Sequence, residues 1–276
     1  MLRCAMPHTA PLRPTLSGTA FGTQLREWRQ RRRRSQLDLA LDAGISQRHL
    51  SFVESGRAAP SRDMVLLLAE ELEVPLRERN ALLLAAGFAP RYAARPLEDA
   101  ALAPAQAVIA TILRAHAPNP ALVVDRHWHM VAANAGVPPL LAGVADPGLL
   151  RPPVNVLRLS LHPQGLAPAI ANLPAWGAHI LTRLRRQAHA SGDPALAALL
   201  AELRALGGTD DGWIEAADSI AIPLELDTSA GRLSLISTTT VFGTPAEVTL
   251  SELAIETFYP ADDATAARLV QLQRVS

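Results

Sequence analysis

Apolar positions in the first third of the chain recur at helical spacing. Phe21, Leu25 and Trp28 fall at i, i+4 and i+7, on one helix face. Two short amphipathic segments follow, one before Gly44 and one after it. Ser35 suits the N-cap of the first, with Asp38 three residues on to close a capping box, and Ser46 caps the second in the same way. Leu39, Ala40, Ile45, Leu50 and Val53 are spaced to face one core. Ala40 is small enough for two helices to cross closely, and Gly44 supplies a turn that a larger residue would strain. The spacing predicts a helix-turn-helix whose second helix fits a DNA major groove. Ser61 then caps a fourth helix with Met64, Leu67, Leu68 and Leu72 inward. Pro75 opens a fifth, which Gly87 ends. The last two helices are expected to serve as scaffold and as part of a dimer contact.

The pattern changes after Gly87. Pro90, Pro96 and Pro104 interrupt residues 88–104, which read as a linker. A helix is expected near 104–116. Ala121–Asn134 reads as a strand, a two-residue turn and a second strand, with a helix starting at Asn134. Residues 164–190 and 194–206 read as helices, Pro174 opening or kinking the first. Ser219–Leu226 and Arg232–Phe242 flank the hairpin signal Asp227–Gly231. Val248–Tyr259 alternates as a further strand, and Asp262–Leu272 closes as a helix. The expected class is two-domain, α followed by α/β: a five-helix lambda-repressor-like domain, then an α+β domain with an antiparallel sheet. Its boundaries are a disordered arm at 1–19, a DNA-binding domain at 20–87, the linker at 88–104 and the second domain at 105–276. Two strands, helices and then three antiparallel strands is the order of a PAS-like domain, whose sheet folds around a small-molecule pocket.

Two family resemblances accompany these patterns. Leu25-Arg26-x-x-Arg29, Ser35-Gln36-x-x-Leu39-Ala40, Gly44-Ile45-Ser46, Glu54-Ser55-Gly56-Arg57 and Pro60-Ser61 resemble the XRE (Cro/cI-type) DNA-binding domain over about residues 20–86. Asn155-Val156-Leu157-Arg158, His162-Pro163, Phe242-Gly243-Thr244-Pro245 and Ile255–Asp262 resemble the ligand-binding domain of MmyB-like regulators over about 105–275. The second resemblance implies a PAS-like domain that holds a fatty acid or related small molecule.

Charge supports two roles. Residues 1–95 hold 15 Arg against 9 acidic residues, and residues 96–276 hold 11 Arg against 17. A basic front and an acidic back fit one domain on nucleic acid and one off it. All 26 basic residues are Arg, which excludes Schiff-base chemistry and a lysine-containing phosphate loop. Cys4 is the single cysteine, so no internal disulfide or thiolate zinc cluster forms. No apolar run reaches the ~18 residues of a membrane span. With no signal-peptide core either, a cytoplasmic protein without a membrane partner is expected.

The candidate DNA-contacting residues are Gln36, Ser46, Gln47, Arg48, His49, Ser51, Phe52 and Arg57. Gln can bond adenine, and Arg guanine, at two atoms each, worth about 1–3 kcal/mol of discrimination. By resemblance, Gln47, Arg48 and Phe52 read bases and Gln36 anchors its helix to phosphate. Phe52 can pack on a thymine methyl or turn into its own core. Arg31–Arg34 can end a helix in solvent, touch phosphate, or both. About four phosphate contacts per copy give a salt slope near −3.6, so a homodimer on double-stranded operator DNA is expected. For a ligand, Arg158, His162, Trp176 and Arg183 combine charge and aromatic surface, and a buried Arg can hold a carboxylate at two atoms. Leu122, Val124, Val131, Leu235 and Phe242 are candidates for an acyl tunnel. No cofactor is expected beyond a bound fatty acid.

His127 and His129 read as one face of a strand, two metal ligands without a third. Glu252 and Glu256 on a shared strand face are roughly 13 Å apart, too far for paired acid–base work. No catalytic site is expected. Two alternatives stay open: a second domain that is a protein-interaction module without ligand, or an enzyme fused to a DNA-binding domain.

Overall fold

The computed structural model describes residues 17–206 and 222–275, in two compact units divided along the chain between Tyr92 and Ala93. The expected class, a helical first unit and an α+β second unit with an antiparallel sheet, is what the structure shows. No described helix is long and apolar enough to cross a membrane.

The first unit contains α1 (Ser17–Arg31), α2 (Gln36–Asp42), α3 (Gln47–Glu54), α4 (Arg62–Glu71) and α5 (Leu76–Ala85). Helix α1 takes in the last three residues of the expected arm; residues 1–16 lie outside the described residues. Ser35, Ser46 and Ser61 accept from the backbone amides three residues on, and Ser35 and Asp38 close their capping box. Phe21, Leu25, Trp28, Leu39, Ala40, Leu50 and Val53 form the core, with Ile45 packed at its edge. On α4 the inward residues are Val65, Leu68 and Ala69, with Leu72 buried at its end. Leu67, expected inside, is 38% exposed.

Gly22 of α1 is set against the end of α3. A Cβ built there would lie 2.4 Å from the Glu54 carbonyl oxygen. The α2–α3 turn needs Gly44, whose φ of +63° is left-handed.

The second unit contains α6 (Ala103–His116), β1 (Ala121–Val124), β2 (Met130–Ala133), α7 (Val156–Leu161), α8 (Leu173–Ser191), α9 (Pro194–Leu206), β3 (Leu224–Thr228), β4 (Gly231–Val241), α10 (Val248–Ser251), β5 (Ala254–Pro260) and α11 (Asp263–Val275). The strands form one antiparallel sheet in the order β2-β1-β5-β4-β3. Strand β1 is buried on both faces. Ala121 and Val123 pack with Ile109 and Leu113 of α6, while Leu122 and Val124 join the larger core with α7, α8 and α9.

Four expectations need correction. Segment 88–104 is not a free linker but is divided between the units. Asn80 holds Arg91 and Tyr92; Ala93 and Arg95 bond Val248, Glu247 and Thr249. The turn between β1 and β2 runs from Asp125 to His129, longer than two residues. Asn134 begins no helix: its side chain accepts from Ala121 and Gly136 and donates to Leu113 and Asn119, tying four segments. The segment 248–259 opens with helix α10, so Glu252 leaves the strand and Glu256 stays on it. The expected strand from Ser219 lies outside the described residues up to Ala221; from Leu224 it is β3.

Candidate functional site

Helix α3 separates two tasks by face. Leu50, Val53 and Glu54 are buried. Gln47 and Arg48 are exposed, and His49, Ser51 and Phe52 are half-buried. Ser46 caps the helix, its hydroxyl accepting the His49 amide at 3.2 Å. Phe52 settles neither wholly inside nor wholly outside. The Arg48 guanidinium lies 5.4 Å from its ring centroid and that of Arg57 lies 5.9 Å away. Neither arginine has an ion-pair partner among the described residues. The phenylalanine therefore gathers two cations that have no carboxylate partner among the described residues.

Sequence reasoning missed what holds this helix. The Glu54 side chain is fully buried and accepts four hydrogen bonds. Arg29 gives two (Nε to Oε1 at 2.6 Å, Nη2 to Oε2 at 2.9 Å), Gln36 one at 2.8 Å and Arg26 one at 3.4 Å. Burial alone pushes the Glu54 carboxyl up, but the bonds from Arg29 and Gln36 outweigh it and hold the carboxyl below its ordinary range. The same bond raises Arg29 further. Gln36, expected to anchor phosphate, spends its amide nitrogen inside this network. Arg32 donates to the carbonyls of Leu72 and Glu73, and Arg34 pairs with Asp42. The arginine run thus ties α1 to its neighbours.

The second unit holds a partly open cavity of about 110 Å³ between the sheet and α7 and α8. Alternation places its sheet wall: Leu122 of β1, Glu256 and Phe258 of β5, and Ser237 of β4 share one face. Leu157, Leu159, Trp176 and Ile180 line the helical side. Apart from its two tryptophans, its polar residues are Ser160, His179, Arg183, Ser237 and Glu256.

Arg183 meets Glu256 fork to fork, Nη1 to Oε2 at 3.0 Å and Nη2 to Oε1 at 2.7 Å. The Thr239 hydroxyl accepts from Arg183 at 2.7 Å and donates to Glu256 at 2.9 Å. The Trp128 ring lies 4.5 Å from the Arg183 guanidinium, and its indole donates to Gln187. Trp176 donates to the Ser160 hydroxyl at 3.0 Å and stacks on His179 with centroids 5.5 Å apart. Burial, and then the Arg183 charge, lower the His179 pKa, with Glu256 opposing.

Two of the four expected ligand residues line this cavity, Trp176 and Arg183. Arg158 and His162 do not. Arg158 turns outward to a bidentate pair with Glu202 at 2.5 and 2.8 Å, and His162 ends α7 with Nδ1 accepting from the Gln164 amide. Of the expected tunnel residues Leu122 is in the wall. Val124 and Leu235 are core, Val131 is exposed, and Phe242 packs at the α6 side. His179 was missed, although Trp176, His179, Ile180 and Arg183 fall at i, i+3, i+4 and i+7 on one helix face.

His127 and His129 stand in the turn rather than on a strand, and Asp125 supplies a third group, the three ligand atoms within 4.8 Å of one another. Each is already engaged. Asp125 Oδ1 accepts the amides of His127 and His129, Asp125 Oδ2 meets His129 Nδ1 at 3.0 Å, and Asp193 meets His127 Nε2 at 2.9 Å. The cluster braces a turn in which Trp128 takes a φ of +68°.

Comparison with known families agrees with this division. Residues 105–272, more than half of the chain, match the MmyB-like transcription regulator ligand binding domain. Residues 25–79 match a helix-turn-helix family. No curated protein sequence matches the chain.

Proposed function

Because the chain belongs to the MmyB-like transcription regulators, with a helix-turn-helix DNA-binding unit ahead of the ligand-binding domain, we propose that it is a one-component sensor of an acyl-chain compound, a fatty acid or a derivative of one. Two copies read two half-sites of operator DNA, and occupancy of the cavity shifts their affinity for it. The observation that carries this is the cavity itself: its walls are apolar, with a small set of polar groups on α7, α8, β4 and β5. The same observation favours a sensor over a ligand-free interaction module, whose core would be filled. The resemblance of the second unit to PAS-like domains fits a sheet curved around a small molecule. Exposed Leu67 of α4 and Leu84 of α5 suit a homodimer contact.

Arg48 and Arg57, free of carboxylate partners among the described residues, contribute the charge that meets DNA. Replacing either by Ala is expected to reduce the steepness of the salt dependence by about 1 per lost phosphate contact. To shift operator occupancy substantially, ligand must favour one state by a few kcal/mol.

Native mass spectrometry of gently purified protein, followed by denaturing extraction, tests the whole reading. Dimers carrying an extractable acyl compound, and operator binding that changes when it is removed, are the expected result. Bare protein that stays bare after incubation with a mixed lipid extract would refute the sensor and leave the DNA-binding unit standing.

A further inference from the structure

The polar groups of the cavity carry an unusual charge balance. Among the described residues its single cation is Arg183 and its single carboxylate is Glu256, and the two neutralise each other through two direct hydrogen bonds and the shared Thr239 hydroxyl. Glu256 is only 5% exposed, so it cannot exchange Arg183 for water. His179 adds no charge, because burial disfavours the imidazolium and Arg183 adds to that. What remains for a ligand is neutral. The His179 ring nitrogens and the Ser237 hydroxyl take no hydrogen bond among the described residues. Ser160 accepts from Trp176 and keeps its own proton to donate.

We infer that the cavity selects an uncharged amphiphile, an acyl or alkyl chain ending in a hydroxyl, amide or ester, over the free carboxylate. This rests on the acyl-sensor reading above and narrows it. A carboxylate head has no counter-ion left. To bind it, Arg183 must release Glu256, which then stays buried and unpaired beside a second negative charge. An ammonium head meets Arg183 with the same difficulty reversed. A hydroxyl or amide head asks for one donor and one acceptor, which His179, Ser160 and Ser237 supply without disturbing the ion pair. Glu256 is therefore a specificity-determining residue: it occupies the arginine that would otherwise hold an acid.

Chain-matched probes test this on the full-length protein: 1-decanol, decanamide and decanoate, titrated at about pH 8, where the free acid is ionised. Binding is followed by isothermal calorimetry and by fluorescence of the cavity tryptophans. Decanol and decanamide are expected to bind about tenfold or more tighter than decanoate. In Glu256→Gln, the decanoate-to-decanol affinity ratio is expected to rise about fivefold or more, because Arg183 is freed. Decanoate binding the wild type as tightly as decanol, or tighter, overturns the inference and leaves the sensor reading intact. So does a Glu256→Gln protein with an unchanged ratio. Failure of all three probes overturns the sensor reading and this inference with it. The wild-type ratio decides even where Glu256→Gln does not fold.

Discussion

Glu54→Ala is the most informative single change in the first unit. It removes a side chain with no solvent exposure and leaves Arg29, 11% exposed, without its partner. Gln36 and Arg26 lose acceptors as well. Removing one partner of a buried pair costs about 3–5 kcal/mol, most of it from the stranded charge. In a domain of this size each kcal/mol lowers the melting temperature by about 4–8 °C, so a fall of at least about 12 °C is expected. Differential scanning calorimetry of the full chain measures it, and hydrogen exchange of α3 assigns the transition to the first unit. The double variant Arg29→Met/Glu54→Met removes both charges and keeps the volume. It is expected to lie within about 1 kcal/mol of wild type, because an apolar pair is not burdened by desolvation. A Glu54→Ala shift below about 1 kcal/mol would refute the reasoning. So would a double variant no more stable than the single one, since the pair would then not be what joins α1, α2 and α3.

Other expectations follow from the same geometry. The Glu54 carboxyl is depressed when folded, so its contribution is present above the ordinary carboxylate value of about 4.3 and is lost as pH falls through the lower folded value. Acid melts of the first unit should steepen below about pH 5, and Glu54→Gln should flatten them. Gly22→Ala gains helix propensity but drives a methyl into the Glu54 carbonyl, so a net loss of about 1–3 kcal/mol in urea unfolding is expected. Arg158→Ala breaks an exposed pair and should cost about 1 kcal/mol or less, leaving ligand affinity unchanged. Trp176→Ala, in the cavity wall, should weaken the same ligand about tenfold or more in calorimetry.

The helix-turn-helix was legible because its determinants are local. Caps, the Gly44 turn and the apolar spacing all act within a few residues, and the structure repeats them. What spacing could not convey was the company each side chain keeps. Glu54 and Arg29 stood in the sequence as members of a motif, but their pairing joins residues 25 apart. The cavity is assembled over longer distances still, Arg183 reaching Glu256 across 73 positions. Arg158 and His162 carry polar, charge-bearing chemistry beside an apolar stretch. Leu157 and Leu159, on either side of Arg158, line the cavity, while Arg158 itself faces Glu202, and no local signal says which way a side chain on a six-residue helix turns. Proline content suggested a linker at 88–104, yet its backbone groups find partners on both units, which composition does not encode.

The division of labour on α3 bears on how such a regulator can diverge. Its stability resides in Leu50, Val53 and the Glu54 network, while the side chains of Gln47, Arg48 and Ser51 make no hydrogen bond to the described residues. On the proposed reading of α3 as the helix that meets DNA, substitutions at those three positions change which bases are read while leaving the fold almost untouched. After gene duplication, a copy can drift to a new operator through a series of single steps, each still folded.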